Sequence, residues 1–166
     1  MLIEKLTERF GAAILKTETA NGDESISIAR DTALEIFKSL RDDPGFEFNV
    51  LVDLTAVDWP DRKPRFDVIY HLNSLTLAHR LRVKIAVEYP EPWAFSVTPL
   101  WKSADWLERE CFDMFGIAFK GHPDLRRILL YDSFEGHPLR KDYPYNNRQP
   151  IVAEIDPIAN PLRSSR

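Results

Sequence analysis

Cys111, the sole thiol of this 166-residue chain, and the neighbouring carboxylates Glu108 and Glu110 are the first candidates for chemistry. A cysteine attacks as its thiolate, which needs an electropositive and accessible setting. Cys111 falls instead in the apolar stripe of a predicted helix, where a thiol is an inert core group. Glu108 and Glu110 stand two apart on that helix, so their carboxyls diverge and make a poor acid/base pair. His122 and His137 lie in two Gly-His-Pro turns, Gly121-His122-Pro123 and Gly136-His137-Pro138. With Asp124 or Asp142 they would form the metal site of a stand-alone metal-dependent hydrolase, but the spacing is neither H-x-x-x-H nor H-x-H. A single cysteine cannot supply the thiolates of an iron–sulfur cluster or a structural zinc site. No G-x-G-x-x-G or P-loop string occurs to cradle a nucleotide.

What remains is a dense stretch from Trp106 to Pro144, in which charges of both signs alternate with large apolar side chains. Ser103 is placed to cap a helix that Gly116 ends, with Asp105 in the first turn. Ala104, Leu107, Cys111, Met114 and Phe115 form its core stripe, while Asp105, Arg109 and Asp113 follow at four-residue steps, so that Arg109 can pair both ways. Arg126 and Arg127 enter an apolar run, Ile128 to Leu130, that reads as a strand. Arg140 and Lys141 follow the second Gly-His-Pro. A mixture of aromatic anchors and arginines suits a surface that grips another protein.

The elements that must position this stretch are legible upstream. Leu2, Leu6 and Phe10 mark a short helix stopped at Gly11. Asn21-Gly22 supplies the positive φ angles of a hairpin between Ala13–Thr19 and Glu24–Ala29. Thr32-Ala33-Leu34-Glu35 has capping-box spacing and opens a helix with Ala33, Ile36, Phe37 and Leu40 inward, ended by Asp43-Pro44-Gly45. Three alternating strands follow, with Phe48/Val50/Val52/Leu54/Ala56, Phe66/Val68/Tyr70/Leu72 and Leu81/Val83/Ile85/Val87 as their core faces. If the last hairpin turns over Ser74 to Leu77, Asp67 and His71 lie opposite Lys84 and Arg80. The outer face bearing Arg80, Arg82 and Lys84 then serves cross-strand ion pairs or an acidic partner. Trp93 to Trp101 reads as an aromatic loop folded back on the core. The fold class is α+β: a two-layer sandwich with an α-β-β-α-β-β-β core, a mixed, largely antiparallel sheet and a further helix.

Length suits a single domain, assigned to residues 1–142. Residues 143–166 hold Pro144, Pro150, Pro157 and Pro161 and read as an extended arm laid along a partner. Net charge is −4, which argues against a general nucleic-acid binder. No apolar run approaches the roughly 18 residues of a membrane span, and the N-terminus lacks a signal-peptide pattern, so the chain is expected in the cytoplasm.

The segments Glu108-Arg109-Glu110, Asp113-Met114-Phe115-Gly116-Ile117, Gly121-His122-Pro123-Asp124-Leu125-Arg126-Arg127-Ile128-Leu129 and Gly136-His137-Pro138-Leu139-Arg140-Lys141-Asp142-Tyr143-Pro144 together resemble the signature of the C-subunit family of proton-pumping NADH:quinone oxidoreductase, respiratory complex I. The resemblance implies a peripheral-arm subunit on the cytoplasmic side of the inner membrane. It implies packing against the quinone-binding D subunit, near the B subunit that holds the terminal Fe-S cluster. It implies no catalytic residue, cofactor or metal in this chain, with FMN and Fe-S clusters in partner subunits. Related subunits of membrane-bound [NiFe] hydrogenases and other quinone-linked complexes are the alternative within the class. On this reading Glu108, Arg109, Glu110, Asp113, Arg126, Arg127, Arg140 and Lys141 form ion pairs within the stretch or across an interface. Gly116, Gly121, His122, Pro123, Gly136, His137, Pro138 and Asp142 complete the signature.

Overall fold

A computed structural model of the chain describes residues 2–149. The element order is α1 (Leu2–Phe10), β1 (Ile14–Ala20), β2 (Asp23–Ile28), α2 (Ala33–Asp42), β3 (Val50–Asp58), β4 (Phe66–Ser74), β5 (His79–Val87), β6 (Trp93–Phe95), α3 (Ala104–Phe115) and β7 (Ala118–Lys120). Five strands form one sheet in the order β1-β2-β5-β4-β3. All pairs are antiparallel except β2 with β5, which α2 and the β3–β4 hairpin separate in sequence. The Asn21-Gly22 turn forms as read, with φ of 53° and 84°.

Alternation in β4 and β5 places Phe66, Val68, Tyr70, Leu72, Leu81, Val83, Ile85 and Val87 on one buried face. Helices cover it. Phe37 of α2 meets Tyr70 at 4.6 Å between ring centroids, and Trp101 meets Phe37 edge-on at 5.8 Å. From α3, the Cys111 thiol points at the Leu54 carbonyl of β3. Burial pushes that thiol's pKa well up, which suits the inert reading.

Local details depart from the sequence reading. The face of β3 is broken by a register shift between Leu51 and Asp53, so Leu51 turns inward while Val52 is exposed. A bulge of this kind adds one residue and resets the alternation. The β4–β5 hairpin turns further on, over Leu75 to Ala78, so His71 faces Arg82 and Asp67 faces Ala86. Lys84 instead reaches Glu18 on β1, at 2.7 Å. Thr32 makes no capping bond, because a 3-10 turn over Arg30–Thr32 precedes α2 and its hydroxyl bonds Ala29. Ser103 likewise bonds the Leu51 carbonyl instead of capping α3. Part of the Trp93–Trp101 loop is strand β6, paired in parallel with β7. Of the Pro-rich arm, Tyr143 stacks on Phe134 and Gln149 exchanges hydrogen bonds with the backbone of Glu135. The arm beyond residue 149 lies outside the described residues.

Candidate partner interface

Residues 121–149, which follow β7, have no regular secondary structure, yet the part from His122 to Arg140 wraps α3. Such a segment leaves many backbone groups without ladder partners, and each buried one needs a substitute. The charged residues of the signature provide them. Asp113 has a fully buried side chain. One of its oxygens accepts from Arg127 at 2.6 Å, and the other accepts the amides of Ile128, Leu129 and Leu130 at 2.9–3.0 Å. Burial alone would raise this carboxyl's pKa. The Leu130 amide, Arg127 and the two other amides outweigh it and hold the carboxyl below its usual value. Arg127 also donates to the carbonyls of Phe134 and Gly136, and Arg109 donates to those of Arg126 and Arg127 at 3.2 Å each. Residues 126–130 are therefore not a strand: the amides of Ile128, Leu129 and Leu130 turn toward one carboxylate.

The second Gly-His-Pro turn finishes α3. The last four carbonyls of a helix lack intrahelical donors. Here Phe112 O accepts from the Gly116 amide, Asp113 O from His137 Nδ1 at 2.9 Å, Met114 O from the Leu139 amide at 3.1 Å, and Phe115 O from Arg140. Gly116 sits at φ 71°, and a Cβ there would overlap the side chains of Arg140 and His137. The first turn serves the other end. His122 Nδ1 accepts the Asp124 amide, so its Nε2–H donates to the Asp105 carbonyl at 3.1 Å; the Asp105 carboxylate lies slightly farther, at 3.3 Å. The two histidines thus hold opposite ends of one helix. Among the described residues no group of three or more His, Cys, Asp or Glu side chains is arranged to hold a metal ion.

The ion-pair expectation needs correction. Asp113–Arg127 is a buried pair, and Arg126–Asp124 is an exposed one at 2.9 Å. Arg109 and Arg140 bind carbonyls, not acids, and Arg109 bridges neither Asp105 nor Asp113. Lys141 contributes its amide to Asp58 at 2.7 Å, and Asp142 pairs with Arg65 at 2.8 Å. Glu108 has no exposed surface. Its Oε1 accepts the Val97 amide at 2.7 Å and its Oε2 has no hydrogen-bond partner among the described residues. Burial raises its pKa to about 7, against the Val97 amide and the Ser96 hydroxyl. Glu110 is exposed. Sequence reasoning missed Asp58 and Arg65, whose fork at 2.7 and 2.8 Å anchors residues 141–142. Nothing local marks them, since the contact joins positions 77 apart.

Large apolar groups also face out. Trp106 is 70% exposed and Leu129 62%, and Leu139, Tyr131 and Tyr145 are exposed on the same wrap. No helix among the described residues is long and apolar enough to cross a membrane.

Residues 26–149 match the family described as respiratory-chain NADH dehydrogenase, 30 Kd subunit. The C subunit of the NADH-quinone oxidoreductase of Citrifermentans bemidjiense is 47% identical over 155 residues, covering 92% of this chain and 95% of that one. Its counterpart from Caulobacter vibrioides is 50% identical over 131 residues, covering 79% and 66%. A solved trypsin-resistant fragment (1–134) of Nqo5 superposes with a TM-score of 0.67 at 33% identity, covering 75% of this chain and 100% of the fragment. A chain of an archaeal membrane-bound sulfane sulfur reductase shares the fold, with a TM-score of 0.73 at 20% identity, covering 87% and 85%. Signature, fold and relatives agree: this chain belongs to the family of the 30 Kd subunit of respiratory-chain NADH dehydrogenase.

Proposed function

We propose that this chain is a structural C subunit in the peripheral arm of an NADH:quinone oxidoreductase, on the cytoplasmic side of the membrane. It fixes the quinone-binding D subunit and the Fe-S-bearing B subunit relative to each other. FMN and Fe-S clusters reside in partner subunits, and this chain supplies no catalytic group. The assembly passes electrons from NADH to quinone and couples this to proton translocation. Electron transfer depends on geometry, so a rigid support affects rate without touching substrate.

One observation carries the reading. Arg109, Asp113, Arg127 and Arg140 are consumed in tying the wrap to α3, while Trp106, Leu129 and Leu139 project into solvent. Exposed apolar side chains on a tightly fixed frame suit a docking surface. The test is purification of the native assembly through a tag on this chain, for the parent and for Leu129→Asp with Trp106→Asp. The parent brings down the quinone-binding and Fe-S subunits; the variant loses them while its own melting temperature holds. Wild-type recovery with the variant, or a parent that purifies alone, rejects the reading.

A further inference from the structure

The small β6–β7 sheet carries a cluster that the wrap around α3 does not explain. The Trp93 ring has the Arg30 guanidinium carbon 3.8 Å from its centroid and the Lys120 ammonium 3.3 Å away, with Phe95 edge-on at 5.1 Å. A ring face attracts one cation, but two cations held on one ring repel each other. Arg30 is offset by Asp31 at 3.3 Å. Lys120 has no carboxylate within 4.0 Å among the described residues, and neither has Lys102. Gly121, next to Lys120, begins an open cleft of about 440 Å³ lined also by Thr98, Pro99, Lys102, Asp105 and Pro123. Its one acid, Asp105, is turned toward His122. In a chain of net charge −4, this leaves Lys102 and Lys120 beside the cleft without a carboxylate partner among the described residues.

We propose that Arg30, Trp93 and Lys120, with the cleft running past Lys102, dock an acidic segment of a neighbouring subunit. A carboxylate beside Lys120 offsets the uncompensated cation and gains a charge-assisted hydrogen bond from it. The aromatic ring fixes the cations beforehand, which lowers the ordering cost of docking. The overall negative charge opposes a nucleic-acid occupant.

This rests on the chain being a subunit of a larger assembly, and the experiment separates the two. Lysines are labelled with an amine-reactive ester in the intact assembly and in the isolated full chain. A zero-length carbodiimide cross-link on the assembly is then mapped by mass spectrometry. Lys120 labels freely in the isolated chain, about tenfold or more slowly in the assembly, and cross-links to an Asp or Glu of another subunit. Equal labelling in both states, with neighbours present, overturns this inference alone. A chain that brings down no neighbours overturns the subunit reading and this inference with it. The double variant Arg30→Glu, Lys120→Glu is expected to keep its melting temperature and to recover neighbours about tenfold less well. Full recovery also overturns the proposal.

Discussion

His137 Nδ1 lies 2.9 Å from the carbonyl oxygen of Asp113, a residue 24 positions earlier, while the Asp113 carboxylate holds Arg127 and three amides on its other side. One helical residue therefore fixes both halves of the wrap, by backbone and by side chain. The segment is as rigid as these few bonds make it.

Removing the Asp113 charge tests this most severely. Asp113→Asn leaves Arg127 without its anion inside the protein, and an amide cannot accept on its NH2 group. The expected loss is about 3–5 kcal/mol in chemical denaturation, with faster tryptic cleavage at Arg126 and Arg127. The depressed carboxyl also sets a sign. Its stabilisation is present above the unfolded value of 3.8 and is lost as pH falls through the lower folded value, so the variant's acid limb is shallower. A wild-type denaturation curve contradicts the role.

His137→Ala takes one donor from the end of α3 and leaves the Asp113 carbonyl exposed or unpaired. A loss of about 1–2 kcal/mol is expected, with faster proteolysis at Arg140 and Lys141. Unchanged proteolysis at those two bonds would show that the wrap does not depend on this donor.

Gly116→Ala combines a left-handed backbone, φ 71°, with overlap against His137 and Arg140. Gly121→Ala meets the same kind of strain at φ 88°, but with nothing within 4 Å. Both lose about 1–3 kcal/mol to backbone strain, and only Gly116→Ala also disturbs the cap. Thermal midpoints should rank wild type, Gly121→Ala, Gly116→Ala in descending order. Equal midpoints for the two variants count against the steric part.

Glu108 gives a pH signature of opposite sign. Its folded pKa of about 7 stands above the unfolded 4.5, so the folded state holds a proton that the unfolded chain has released. Its stabilisation is full below pH 4.5 and is lost as pH rises through about 7, a change on the order of 3 kcal/mol. Glu108→Gln is neutral throughout, so its stability relative to wild type should climb between about pH 5 and 8. A flat difference over that range would mean that Glu108 is not the group titrating.

The chain alone determined the family, through a signature whose residues are individually ordinary but jointly specific. It also determined most of the frame. Period-two runs such as Phe66–Leu72 and Leu81–Val87 can bury only one face, and Asn21-Gly22 permits little besides a tight turn. Where one extra residue resets that period, as between Leu51 and Asp53, the pattern misleads. What each charged side chain does was decided by tertiary structure alone. Asp113, Glu108 and Glu110 are three ordinary acids of one helix. Yet one collects backbone amides from residues 128–130, one is sealed beneath the Ser96–Thr98 loop and one faces water. The reason is that hydrogen bonds from a segment without regular secondary structure have no period. Its orphaned carbonyls and amides find donors and acceptors wherever the fold brings them, as Arg65 and Asp142 meet across 77 residues.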